Sequence, residues 1–311
     1  MNAGKQATQG QRSSRPIKHR MPNGQKLAPY LFILPFILSF LIFFSYPLIN
    51  AIIMSFQRVL PGDVAFIGLD NYKRLLNPDF FKALLNSTKY TFWTLLVLIP
   101  LPLVLAVFLN AKMMRARNLF RASLFIPALT SIVVAGIIFR LIFSELDGAI
   151  MNSFIKLFGF DSQKWLLSSS LSMFALVVLA TWRWAGINIL YFLSALQSIP
   201  RELYESADMD GAGTMSKFRK ITIPLLRPIT IYVFTITIYG GYAMFTESFM
   251  LWGSRGSPQN IGLTMVGYIY QQGFQYFDLG FGSTIGITLL AITLLVSMLQ
   301  LNVLGFFKKE D

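Results

Sequence analysis

Apolar stretches alternate with short polar connections along this chain, and six of the stretches, at about 28–56, 84–109, 123–143, 171–196, 228–251 and 281–307, are nearly free of charge. Each reaches the roughly 20 residues that a helix needs to cross a hydrocarbon layer of about 30 Å. The pattern predicts six membrane-spanning helices. Pro35, Pro47, Pro100, Pro102 and Pro127 fall inside them, which a bundled membrane helix tolerates because its neighbours re-satisfy the freed backbone groups. Two connections, FIGLDNYKRLLNPDFFKALLNS and GAIMNSFIKLFGF, show apolar residues at helical spacing. They predict short helices lying along a membrane face.

Composition agrees with the pattern: 54% of the 311 residues are hydrophobic and 13% are charged. The net charge of +13 raises the question of nucleic acid, and the placement of the basic residues answers it. The N-terminal arm, the connections at 110–122 and 198–227 and the C-terminal tail hold 17 Lys and Arg, against 7 in the alternate connections. Cytoplasmic loops are the basic ones, so both termini and the 198–227 connection are expected in the cytoplasm, and the charge reads as a topology signal with no nucleic-acid partner. The arm, polar and basic without an acid, reads as disordered. There is no Cys, and the one His, His19, lies in that arm. Thiolate or histidine catalysis, disulfides and zinc are therefore excluded. No G-x-x-x-x-G-K-[ST], G-x-S-x-G or H-E-x-x-H occurs, so no catalytic residue, cofactor or metal is expected and any energy source must be another polypeptide.

The connection between the fourth and fifth stretches is unusual: RELYESADMDGAGTMSKFRKITIPLL is charged and punctuated by glycine. Pro200 and the carboxylates that follow it open a short helix, Gly211 and Gly213 break it, a second short helix follows, and Pro224 and Pro228 turn the chain into the next span. A polar elbow tethered by a span on each side is suited to receiving force.

The same residues carry a resemblance. Glu205, Ser206, Ala207, Gly211, Ile221 and Pro224 follow the E-A-A-x3-G-x9-I-x-L-P pattern of the membrane subunits of bacterial ATP-binding-cassette importers, with Ser206 and Ile223 as departures. YESADMDGAGTMSKFRKITIPLL, together with PYLFILPFILSFLIFFSYPL, LQSIPRELYE and YFDLGFGSTIGITL, resembles the sugar permeases of the MalF and UgpA type from about residue 28 onward. The resemblance implies an all-α inner-membrane protein of the type I (MetI-like) importer fold. Residues 1–27 would be the arm, 28–307 the six-span permease domain and 308–311 the tail. Residues 201–224 would form the cytoplasmic coupling helix, with Glu205 binding a dimeric ATPase, Ala207 allowing close approach and Gly211 allowing the turn. It further implies a second related permease subunit and an extracytoplasmic sugar-binding protein as partners, and a carbohydrate, in particular an oligosaccharide, as cargo. An importer of the same build for another solute, such as glycerol phosphate, and an autonomous secondary carrier are the alternatives.

Ionisable residues inside membrane spans are costly and mark pathways or partners. Arg140, Arg183 and Glu247 are the clearest, and Lys89 sits near the start of the second stretch. Arg183 and Glu247 are expected at heights about 6 Å apart, which leaves both an ion pair and contact with substrate open. Trp184, Asn188 and Tyr191 share one helical stripe, and Tyr239, Ala243 and Thr246 share another. Aromatic faces with amides and hydroxyls suit a sugar. The resemblance to the maltose permease adds Arg183, Ile187 and Gly240 to that list and supports Trp184, Tyr239 and Ala243. Gly282 and Gly286 form a small-x-x-x-small pair that fits close helix packing, within this chain or against another.

Overall fold

The structure, a computed structural model, describes residues 23–111, 116–254 and 256–305. The tail 308–311 and most of the 1–27 arm lie outside the described residues, although a helix already begins at Asn23. The chain divides into two compact units, Met1–Asn50 and Ala51–Asp311.

Four helices are long and apolar enough to cross a membrane: Pro29–Ser55, Pro78–Asn110, which is interrupted at Ile99, Ser169–Ser198 and Leu279–Val303. Two further spans adjoin a sharp bend. Asn118–Leu129 and Ile132–Ile142 meet at 96°, and Arg227–Tyr242 meets the end of the polar elbow, Thr214–Leu225, at 63°. These correspond to the six predicted spans, with boundaries corrected. The second begins at Pro78, because Asn77 caps the helix by accepting the Phe80 N–H at 2.9 Å and Pro78 occupies the first turn. DFFKALLNS is thus the opening of a span and not a helix along the membrane face. The fifth ends at Tyr242, and a separate helix, Thr246–Trp252, carries the remainder of the predicted stretch.

Between the first two spans a hairpin, Gln57–Leu60 with Asp63–Phe66, turns at Pro61–Gly62, with Gly62 at φ +79. The sequence reading missed these strands because each has only four residues. A polar network ties this region to the last span. Asn71 Nδ2 donates to the carbonyls of Ser55 and Gln57, and the Thr284 hydroxyl also donates to Ser55 O at 3.1 Å. The Arg74 guanidinium gives one N–H to Asn71 and another to Asp278 at 2.7 Å, and stacks over Phe281. Asp278 in turn caps the final helix by accepting the Phe281 N–H at 3.0 Å.

The spans enclose three clusters of buried apolar residues, with small polar side chains set among them. Ser87, Thr91, Thr94, Asn188, Thr237 and Thr284 are buried, while dozens of Phe, Leu and Ile side chains face outward. Lipid removes the usual drive to bury apolar surface, so small and hydroxylated residues mediate helix contact. The threonines satisfy themselves against their own helix: Thr91 donates to Ser87 O and Thr237 to Val233 O. Gly241 lets the fifth span lie against the second, since a Cβ there would stand 2.3 Å from Thr91 Oγ1. Gly282 and Gly286 face Gly273 and Ile269. Of the two packing alternatives, the one within this chain is therefore the one observed.

Candidate functional site

Two places gather the residues singled out from the sequence. The first is the polar elbow. Helix Arg201–Met209 has no buried residue. It ends where Gly211, at φ +75, donates its N–H to Asp208 O, and Ala212 donates to Ala207 O at 2.8 Å. This pair of bonds is a Schellman cap, and the left-handed position favours glycine. The chain then returns through Thr214–Lys217 and a wide turn at Phe218–Thr222. Lys217 reaches back to Asp208 at 2.5 Å, and the Tyr204 hydroxyl meets that of Thr222 at 2.9 Å. The two arms are thus fastened at both ends. Glu205 and Ser206 are exposed, Ala207 and Ile221 half-buried and Pro224 exposed, with Gly211 at the cap. Glu205 also lines a groove of about 970 Å³ with Tyr204, Asp208, Asn110 and Asn118. Met209, Met215 and Leu203 stand out of the elbow as exposed apolar side chains, Met209 at 89%.

The second place is a cavity of about 450 Å³ between the second, fourth and fifth spans. Trp184, Asn188, Tyr191, Tyr239, Gly240, Ala243 and Glu247 all line it. Arg183 and Ile187 do not. The Arg183 Nη1 donates to Thr130 O at 2.6 Å, at the elbow of the broken third span, and its guanidinium stands 5.5 Å over the Trp184 ring. A helix break leaves carbonyls without N–H partners, and this arginine serves one of them. Among the described residues no ion pair within 4.0 Å joins Arg183 to Glu247.

Asn188 is likewise committed. Its Nδ2 donates to Leu98 O at 3.1 Å. In a continuous helix that carbonyl would receive the N–H of residue 102, but residue 102 is proline. The side-chain oxygen of Asn188 remains as an acceptor. Glu247 opens the helix Thr246–Trp252 from its first turn, where the helix dipole favours a carboxylate. That helix exists because the chain breaks at Phe245, with φ −140 and ψ −55. Its Met250 packs on Gly136 of the third span.

The sequence reading missed the cavity wall supplied by the second span. Tyr90, Thr94 and Leu98 line it, as do Tyr232 and Thr237 from the fifth. Tyr191 and Tyr232 meet edge to face with centroids 5.2 Å apart. The signal was present: positions 90, 94 and 98 recur at four-residue spacing, and two of them are polar groups inside an apolar span.

Residues 98–305 match the model of a family described as binding-protein-dependent transport system inner membrane component. The chain is similar to the arabinooligosaccharides transport system permease protein AraP of Bacillus subtilis (strain 168), at 58% identity over 92% of this chain and 91% of that one. It is 54% identical to the AraP of Halalkalibacterium halodurans, over 93% of this chain and 91% of the relative. The sn-glycerol-3-phosphate permease UgpA of Escherichia coli (strain UTI89 / UPEC) is more distant, at 28% over 93% and 96%. Among solved structures, a bacterial ABC transporter involved in the import of the acidic polysaccharide alginate superposes with a TM-score of 0.80 at 23% identity, over 92% of this chain and 98% of that one. At that identity the likeness concerns the fold.

Proposed function

This chain belongs to the family of binding-protein-dependent transport system inner membrane components, and from that premise we propose that it forms half of the route by which an ATP-driven importer carries an arabinose-containing oligosaccharide across the membrane. The observation that carries this reading is the cavity between the second, fourth and fifth spans, walled by Trp184, Tyr191, Tyr239, Tyr232 and Tyr90 with Thr94, Asn188 and Glu247 among them. Aromatic faces pack on the C–H surfaces of a sugar ring, and the hydroxyl, amide and carboxylate groups meet its hydroxyls. The permeases AraP, 58% and 54% identical, point to the arabino-oligosaccharide class.

In this reading the termini and the elbow 201–224 lie in the cytoplasm, in keeping with the excess of Lys and Arg in those connections. The elbow is the coupling segment. Glu205 forms charge-assisted bonds with a cytoplasmic ATPase dimer, and the exposed Met209 and Met215 supply adaptable apolar contact. ATP is hydrolysed by that partner and not by this chain. A second, related permease completes the route, and an extracytoplasmic binding protein delivers the sugar. Closure of the ATPase dimer pushes the two fastened arms of the elbow as one body and biases the spans between inward-open and outward-open packings.

The test uses the whole importer. Gly211→Pro, which removes the N–H given to Asp208 O and forbids a positive φ, and Glu205→Lys should both insert normally. Each should lose copurification with the ATPase or lose sugar-stimulated ATP hydrolysis. Normal copurification and normal sugar uptake by either variant would overturn the coupling assignment.

A further inference from the structure

Among the described residues, the cavity wall contains one formally charged side chain, Glu247, and no cation. Arg183, the nearest basic residue of the same spans, reaches Glu247 only through its longer-range charge, because its guanidinium bonds Thr130 O and stands over Trp184. Lys89 opens onto a different groove, with Trp93 and Trp182. The remaining polar groups on the wall are neutral hydroxyls and one amide, and that amide gives its N–H to Leu98 O. A carboxylate is an acceptor only, and neighbouring hydroxyls of a sugar ring are two donors at a spacing that suits its two oxygens. An anionic solute in the same space would bring a second negative charge beside Glu247, with no cation on the wall itself to pair with it.

We propose that Glu247 makes this cavity a charge filter, which admits uncharged oligosaccharides through hydrogen bonds from paired ring hydroxyls and turns away uronate-bearing or phosphorylated ones. The proposal rests on the reading of the cavity as the transport route and adds to it the charge class of the solute and the residue that sets it. At a separation of about 6 Å and an effective dielectric of about 40, between the protein-surface and water limits, one unit charge changes the local concentration of another about tenfold in either direction. A cation and an anion should therefore differ about 100-fold.

The chain has no cysteine, so Ala243→Cys places a single thiol of this subunit on the cavity wall. Gly240→Cys is a second choice, because a Cβ at Gly240 meets nothing within 4 Å. In membranes containing the assembled importer, each variant is treated with a cationic and an anionic methanethiosulfonate, and the rate ratio is compared with that of a free thiol in solution. We expect the cationic reagent to be favoured about 100-fold over that reference, the bias to vanish with Glu247→Gln and to invert with Glu247→Lys. A ratio that Glu247→Gln leaves unchanged overturns the filter. So does a thiol that neither reagent reaches at both positions, since such a cavity admits no dissolved solute. The transport reading is tested separately on the same samples: full modification of the Ala243→Cys variant should block oligosaccharide uptake. Uptake that survives modification would remove the cavity from the route whatever the charge ratio.

Discussion

Asn188 offers a measurement in which the backbone, and not the sugar, is the partner. Its Nδ2 lies 3.1 Å from Leu98 O, a carbonyl that receives no helical N–H because residue 102 is proline. Replacing Asn188 by Ala leaves that oxygen buried and unpaired. In soluble proteins such a loss costs about 1–3 kcal/mol. Interhelical hydrogen bonds in membranes average about 0.6 kcal/mol and reach about 1.7, so about 1–1.5 kcal/mol is expected. Pro102→Ala returns an N–H at the position from which a continuous helix would bond Leu98 O. In that background the cost of Asn188→Ala should fall to a few tenths of a kcal/mol, a coupling of about 1 kcal/mol between the two sites. The assay is unfolding of the purified subunit in mixed micelles of increasing dodecyl sulfate content, with all four members of the cycle compared under one condition. Equal costs for Asn188→Ala in the two backgrounds would refute the argument that this asparagine serves the proline break.

Three further outcomes follow from the geometry. Gly241→Val should cost about 1–3 kcal/mol by overpacking, because its Cβ would meet Thr91 Oγ1 at 2.3 Å; the same unfolding assay should show partial rescue by Thr91→Ala. Arg74→Lys should fail to replace arginine, since one ammonium cannot reproduce the forked donation to Asn71 and Asp278 with stacking on Phe281; faster amide exchange in the first turn of Leu279–Val303 is the readout, and unchanged exchange would show the pair to be dispensable. Tyr239→Ala and Trp184→Ala should each lower oligosaccharide uptake about two- to tenfold, in line with the ~0.5–1.5 kcal/mol that an aromatic contact contributes, while copurification with the ATPase is retained. Uptake at the normal rate in both variants would place the route elsewhere.

The stripe Trp184, Asn188 and Tyr191 illustrates what a sequence pattern conveys and what it omits. Spacing put the three on one helical face, and all three line the cavity. Spacing also suggested an amide free for sugar hydroxyls, and there the outcome depended on Pro102, 86 positions earlier in the chain. Arg183 is a similar case. Its depth in the fourth span was legible, but its partner is a carbonyl exposed by a 96° break in another span, and nothing local to either segment announces that bend beyond Pro127. The cap at Gly211 was legible in full, because a Schellman motif is made within six consecutive residues.

The amino-acid sequence by itself determined the number of spans, the side on which basic charge accumulates and the presence of a polar elbow between the fourth and fifth. Each of these follows from local composition: a stretch of apolar residues has one low-energy arrangement in lipid, and a glycine between helical arms has few. Only the tertiary structure decided which polar groups are spent on broken helices and which remain free toward the cavity, where the third and fifth spans break, and that Glu247 stands on the cavity wall while Arg183 is tied to Thr130 O. Those outcomes depend on which helices touch, and that is settled by small residues such as Gly241 and Gly136 meeting Thr91 and Met250 across long sequence separations, where no periodicity in one segment carries information about the other.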